Sequence, residues 1–178
     1  MKIPEGLRYV PEFLAPEEQS SLLDKVREIR FDQWQQIWFR GQLARRRKLA
    51  YGWNYEPSDR EMTPAPPMPD YLVPLRDRCA AEAGLPPEKL VQATMTVYPP
   101  GAGIGPHKDA PFFGDEVVGV SLGSAARMVF RHGPDKYTLT LEPGSWIELS
   151  GPARSRWTHE MPPVPEERYS IYFRSLRE

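Results

Sequence analysis

Cysteine is almost missing from this chain: Cys79 stands alone among 178 residues. A lone thiol excludes an intramolecular disulfide and a thiolate zinc cluster, and it suits a reducing cytoplasm, the expected location. No run of 18 apolar residues occurs, so no membrane-spanning helix is expected. The first residues, MKIPEGLRYVPEFL, lack the continuous apolar core of a signal peptide. An excess of one charge is missing too. With 23 Lys and Arg against 24 Asp and Glu, the net charge of −1 gives no global pull toward nucleic acid or anionic lipid, and any such binding must come from a local patch. Histidine is scarce, with His107, His132 and His159 the full set. No internal repeat or low-complexity segment is present.

What the chain does have is proline, 21 residues, and 13 glycines, which favour turns and short elements over long helices. Its length and 40% apolar content fit a single domain over 1–178, expected to be a monomer. A helix is predicted at about 16–30, where Pro16, Glu17 and Glu18 suit a first turn and Leu22, Leu23, Val26 and Ile29 recur at helical spacing. A second is predicted over 71–83, capped by Asp70. Residues 44–55 alternate as a strand does, with Arg45, Arg47, Leu49, Tyr51, Trp53 and Tyr55 on one face. Residues 56–69 read as a proline-rich loop. After Leu85 come short strands at 92–98, 116–122, 126–131, 136–141, 145–149 and 168–175, punctuated by glycines. The pattern predicts a mostly β, α+β chain: a double-stranded β-helix, or jelly roll, over 92–178, with supporting helices in 1–91.

Two constellations carry chemistry. His107 and Asp109 are two residues apart in GAGIGPHKDAP, so in an extended segment both point to one side and can meet one metal ion. His159, in ARSRWTHEM, could complete a two-His-one-carboxylate face with open positions, the ligand set of Fe(II) oxygenases. A His-x-Asp pair by itself also fits a surface turn, and the same three ligands would serve a zinc hydrolase. His132, in FRHGPD, reads as a solvated hairpin residue. The second constellation is ERYSIYFRSLRE. Arg168, Ser170, Tyr172 and Arg174 share one face by parity, while Tyr169, Ile171 and Phe173 share the other and suit a core. Two guanidinium forks leaning inward could converge on a small diacid; an edge strand with solvated arginines is the alternative.

Taken together and in this order, the motifs resemble the AlkB family of Fe(II)/2-oxoglutarate-dependent dioxygenases. The matching pieces are YPPGA at 98–102, HKD at 107–109, VSLGS at 120–124, WTH at 157–159 and RYSIYFR at 168–174. The resemblance covers about the last 85 residues well. It implies Fe(II) bound by His107, Asp109 and His159 and 2-oxoglutarate held by Arg168, with Arg174, Tyr98 and Ser170 around it and O2 as cosubstrate. The implied activity is oxidative demethylation of alkylated nucleic acid, as in DNA or RNA alkylation repair. Three positions depart from the repair enzymes: Thr96 where Asn is common, Pro111 where an acidic residue contacts the damaged base, and Tyr172 where a small polar residue is usual. The wording GIGPHKD and FFGDEVVGVSLGS is similar to the branch that hydroxylates wobble uridines in tRNA.

The segment RRRKLAYGWNY at 45–55 is the candidate substrate surface, and the resemblance implies a substrate lid there. The four consecutive cations at 45–48, with Arg45 and Arg47 singled out as the contacts, could neutralise phosphates, and Tyr51, Trp53 and Tyr55 could stack on bases. A strand with a solvated basic end and a buried aromatic face explains the same residues. Trp34, Trp38 and Arg40 invite the surface reading with less force, since isolated aromatics are usually core. The expected partner is alkylated single-stranded nucleic acid or tRNA, with no membrane. Hydroxylation of a wobble uridine, or of a protein or small molecule, keeps the chemistry and changes the target; an inactive jelly-roll nucleic-acid-binding module keeps neither ligand set in use.

Overall fold

The computed structural model describes residues 2–177. Strand β1 spans Leu7–Val10 and helix α1 Pro16–Arg27; β2 (Gln35–Phe39), β3 (Gln42–Tyr51), β4 (Trp53–Glu56) and β5 (Glu61–Pro64) precede helix α2 (Val73–Ala83). Then come β6 (Gln92–Tyr98), β7 (Ile104–His107), β8 (Phe113–Gly123), β9 (Ala126–His132), β10 (Asp135–Leu141) and β11 (Trp146–Leu149). A short helix α3 (Gly151–Ser155), β12 (Thr158–Met161) and β13 (Arg168–Leu176) complete the order. No helix among the described residues is long and apolar enough to cross a membrane.

Two antiparallel sheets face each other. The major one runs β1-β11-β8-β13-β6-β3-β2, the minor one β10-β9-β12-β7. This is the jelly roll expected from the sequence. The alternation of β13 explains how the layers divide. Tyr169, Ile171 and Phe173 turn outward and join Val118, Val120 and Leu122 of β8 in a core closed by α1 and α2, with Val26, Leu75 and Cys79. Arg168, Ser170, Tyr172 and Arg174 turn inward, toward the minor sheet. A second apolar core, with Phe130, Ile147 and Trp157, fills the rest of that interlayer.

Several sequence expectations change. The N-terminal part is more than helical support: β1, β2 and β3 extend both ends of the major sheet, so the 91/92 division cuts through it. Helix α2 begins at Val73 after Leu72, without a side-chain cap; Asp70 contributes only its carbonyl, which accepts from Val73 N–H at 3.3 Å. The loop 56–69 contains β5, paired with β4. The single strand expected over 44–55 is two. It breaks at Gly52, whose φ of +75° is left-handed. Gly52 N–H donates to Pro66 O at 2.7 Å, and a Cβ there would lie 2.1 Å from Val91 O. The break peels β4 off the major sheet and turns it into a two-stranded flap with β5. The β2–β3 hairpin turns on Arg40 and Gly41, both at positive φ, which is the type I′ requirement.

Gly52→Ala is expected to destabilise the protein. The backbone conformation alone costs about 1–3 kcal/mol for a residue with a Cβ, and the contact with Val91 O adds to it. Urea unfolding checks this: the midpoint should fall while the slope stays unchanged.

Candidate metal centre and its two cavities

The minor sheet brings the two ligand histidines together. His107 ends β7, and His159 sits opposite it in β12 as a directly paired residue. Their ring centroids are 4.4 Å apart. Asp109 follows β7 by two residues, and its carboxylate Oδ1 lies 3.3 Å from His159 Nε2. One ligand atom from each of His107, Asp109 and His159 falls within 4.8 Å of the other two, a spacing that suits one shared ion. His107 Nδ1 is 2.8 Å from Gly105 O; an Nδ1–H donated there fixes the tautomer and leaves Nε2 as the free ligand atom.

One arginine holds the carboxylate and a second holds the loop that carries it. Arg174 reaches across from the major sheet and donates Nε–H to Asp109 Oδ2 at 2.6 Å; its Nη1 donates to Gln92 Oε1 and Thr94 Oγ1, both at 3.3 Å. Arg154, buried in α3, donates to four backbone carbonyls, those of Asp109, Ala110, Phe113 and Gly114, and so clamps the loop that carries the ligand. An arginine in a five-residue helix has no periodicity to mark its burial.

The electrostatics favour a cation at the centre. Burial pushes the Asp109 carboxyl up, but the Arg174 guanidinium, the His159 hydrogen bond and both imidazoles outweigh it, and the group stays well below the usual carboxylate range. Burial and the neighbouring His159 push His107 down to about 4, against the partial compensation of Asp109. At neutral pH His107 therefore offers a lone pair and Asp109 a full charge.

Beneath the triad lies a cavity of about 120 Å³, large enough for a small acid and far too small for a nucleotide. Its walls include Tyr98, Thr96 and the inward face of β13: Arg168, Ser170, Tyr172 and Arg174. Arg168 is 0% exposed. It donates Nη2–H to Ser121 Oγ at 2.8 Å and meets Met161 Sδ at 3.4 Å, while its Nε has no partner among the described residues. A fully buried guanidinium with a hydroxyl and a thioether for neighbours, and no carboxylate, is costly unless a ligand brings the counter-charge. That orphaned donor is the feature that fits a diacid cosubstrate. Arg168 also lies 5.2 Å from the centre of the Tyr98 ring. Thus Tyr98, Arg168, Ser170 and Arg174, expected together, do share one chamber, but Arg174 spends its Nε on Asp109.

Above the triad opens a cleft of about 1410 Å³. Its cations are Arg40, Arg46, Lys48, Arg60, Lys108, Arg154, Arg174 and Arg177, against Asp109 and Asp115; Trp38, Phe39, Tyr55, Phe112 and Phe113 supply aromatic surface. The face expected for residues 45–55 is corrected here. Arg46 and Lys48 point into the cleft. Arg45 and Arg47 lie on the other side of β3, where Arg47 donates to Trp34 O at 3.4 Å and sits 4.1 Å from the Phe31 ring centre. Tyr51 packs with the helical core, and Trp53, beyond the break at Gly52, does not line the cleft. Of the five residues expected to meet substrate, Tyr55 alone does line it. Trp38 and Arg40, given less weight, also line it, while Trp34 is core.

Acid should weaken the metal-free protein in a defined window. An unfolded histidine titrates near 6.5 and folded His107 near 4, so the unfolded state binds the extra proton between these values. Stability should therefore fall as pH drops from about 6.5 to 4, and His107→Gln should flatten that limb in a pH series of thermal unfolding. Arg154→Ala should weaken Mn(II) binding by about tenfold, the size seen when groups that orient metal ligands are lost, as measured by metal titration.

A family model described as the 2OG-Fe(II) oxygenase superfamily matches residues 6–177. The tRNA (carboxymethyluridine(34)-5-O)-methyltransferase alkbh8 of Xenopus tropicalis is 28% identical over 90% of this chain and 26% of its own length. The Mus musculus protein of that name is 32% identical over 90% of this chain and 25% of its own. The probable RNA/DNA demethylase ALKBH6 of Danio rerio is 27% identical over 71% of this chain and 50% of its own. The chain thus spans about a quarter of the length of the first two relatives. Among solved structures, OsALKBH1 superposes with a TM-score of 0.77 at 18% identity, covering 98% of both chains. A Pseudomonas putida prolyl-4-hydroxylase gives 0.68 at 15% identity, covering 97% of this chain and 93% of that one. These two likenesses concern the fold alone. The chain belongs to the 2OG-Fe(II) oxygenase superfamily and, within it, to the AlkB family.

Proposed function

We propose that this protein is an Fe(II)/2-oxoglutarate-dependent dioxygenase that removes alkyl groups oxidatively from nucleic acid. As a member of its superfamily it uses Fe(II), 2-oxoglutarate and O2. When bound, that set supplies the oxidation of a C–H bond, with succinate and CO2 as coproducts. The chain's own residues do the rest. His107, Asp109 and His159 would hold the ion. Arg168 would take a carboxylate of the cosubstrate, with Tyr98 and Ser170 beside it. Arg174 and Arg154 keep Asp109 in place. A methyl group on a base nitrogen, once hydroxylated, leaves as formaldehyde. We read residues 1–178 as one catalytic domain, and a monomer in a reducing cytoplasm remains part of the reading, the compartment resting on a single buried cysteine.

The observation that carries the substrate class is the cleft. A chain of net charge −1 lines the mouth of its metal centre with eight cations; Arg174, Arg177 and Lys48 pair with Asp109, Asp115 and Glu56 and Arg154 is spent on backbone carbonyls, which leaves Arg40, Arg46, Arg60 and Lys108 among the aromatic rings without a carboxylate partner among the described residues. Cations meet phosphates and flat rings stack on unpaired bases, so this surface suits a single-stranded or flipped-out target. The fold by itself is shared with a prolyl hydroxylase and does not choose. A tRNA target is the second reading. It is favoured by similarity across 90% of the chain to proteins whose names specify a tRNA uridine, and by Pro111 at the cleft, where repair enzymes carry an acid.

The tests separate chemistry from target. Anaerobic Fe(II) with 2-oxoglutarate should give a weak visible charge-transfer band that His107→Ala abolishes; a folded wild type without the band would end the oxygenase reading. Methylated single-stranded DNA, methylated RNA and bulk tRNA should then be compared by mass spectrometry. Loss of a methyl group supports demethylation, and a gain of oxygen on uridine supports the tRNA reading. Replacing Arg60 and Lys108 together by Ala should weaken oligonucleotide binding across all sequences and reduce its salt slope by about two.

A further inference from the structure

Strand β3 carries four consecutive cations, and its pleat divides them between two surfaces. Arg46 and Lys48 line the cleft. Arg45 and Arg47 stand on the opposite face of the strand. Arg45 is exposed and rests on the turn at Gly101, where a Cβ would come within 2.7 Å of its Nη1. Arg47 spends one of its five N–H donors on Trp34 O, and its guanidinium lies 4.1 Å from the centre of the Phe31 ring. Neither meets a carboxylate among the described residues. Asp32, next to Phe31 in the chain, is paired with Arg30, and Glu167 with Arg27.

Phe31 is the second observation. At 70% exposure it is the most open large apolar side chain among the described residues. An aromatic ring left in water adds little to a core. Here the Arg47 guanidinium steadies it, and the rest of its surface stays free to stack. Only the β2–β3 ribbon separates this face from the cleft. β2 is the end strand of the major sheet, its Gln35, Gln36 and Trp38 are exposed, and Trp38 also lines the cleft. A path over that edge crosses two strands, about 10 Å at the usual strand spacing.

The ligand that suits both faces is a flexible polyanion with flat rings. Its phosphates meet Arg45 and Arg47, and a base stacks on Phe31. A duplex is too stiff to fold over so narrow an edge. An acidic peptide would satisfy the arginines and leave Phe31 without a flat partner.

We propose that Arg45, Arg47 and Phe31 on the outer face of the β2–β3 ribbon form a second contact site for single-stranded nucleic acid, which takes the segment flanking the target nucleotide as the strand leaves the cleft over the edge of β2. This rests on the reading of the cleft as a nucleic-acid surface.

The test is fluorescence anisotropy with labelled single strands of about 5 and about 20 nucleotides, the short one near the smallest site of a single-strand groove and the long one able to leave the cleft. Wild type should bind the long strand about tenfold more tightly or better. Arg45→Ala with Arg47→Ala should cut long-strand affinity by about tenfold and lower its salt slope by about one to two, leaving the short strand within about twofold. Phe31→Ala should cut long-strand affinity by about tenfold, the size of one lost base stack, with the salt slope unchanged. Phe31 and Arg45 are exposed, so their loss should not move the unfolding temperature. Arg60→Ala with Lys108→Ala, in the cleft, should weaken both lengths. Long-strand binding that survives the outer-face variants but falls in the cleft variant overturns the proposal and leaves the cleft reading standing. So does equal weakening of both lengths by the outer-face variants, which marks damage to the cleft. A concentration-dependent dimer lost in Phe31→Ala, with strand binding intact, overturns it in favour of a contact between copies. A wild type that binds neither strand removes the cleft reading itself, and the proposal with it.

Discussion

The ion pair between Arg174 and Asp109 ties the two sheets together at the point where the chemistry is placed. Arg174 belongs to the central strand region of the major sheet, Asp109 to the loop leaving the minor sheet, and the 2.6 Å contact spans the layer between them. Taking both charges out of water is expensive, and their attraction repays it only because the remaining hydrogen-bonding groups are satisfied as well. Here they are: Gln92 and Thr94 accept from the guanidinium, and His159 lies against the other carboxylate oxygen. Breaking such a pair from one side costs about 3–5 kcal/mol. The same contact therefore bridges the two sheets, orients a metal ligand and keeps the carboxylate ionised.

The pair also separates the molecule into a deep chamber and an open cleft. Arg46, Thr94, Ile104, His107, Asp109 and Arg174 line both. Each space has its own charge problem. Below, Arg168 is buried without a counter-ion. Above, cations crowd a surface whose chain as a whole is nearly neutral. On the proposed function, a small dianion answers the first and an extended polyanion the second. Whole-chain charge concealed this because the compensating acids lie elsewhere on the surface, for instance Glu18 on Arg78 and Glu82 on Arg8.

How much of this could be read in the sequence follows from which patterns have a single physical cause. In β13 one face is apolar and the other charged, so parity assigned Tyr169, Ile171 and Phe173 to the core, while the inward place of the arginines, which parity left open against a solvated edge strand, came from the family resemblance. The jelly roll was legible for the same reason, through strands of ordinary length bounded by glycine and proline. In β3 both faces carry long amphipathic side chains, because one is capped by Phe31 and the helical layer and the other by the cleft. Parity then had no apolar marker, and the wrong cations were assigned to the cleft. β7 and β12, the strands that carry the histidines, are four residues each and interrupted by Gly, Pro or charge; they exist because their neighbours pair with them. Three ligand residues were thus visible while the strands presenting them were not.

The position of the two spaces imposes an order on any ligands that fill them. The chamber lies behind the triad, and the residues at its mouth are also floor residues of the cleft. On the proposed function, a polyanion seated in the cleft against Trp38 or Tyr55 would cover that mouth. A small acid must then reach Arg168 first, and once there it neutralises charge that would otherwise add to the field felt by the polymer. On the proposed function, Arg46 and Arg174, which border both spaces, would let charge in the chamber be felt in the cleft.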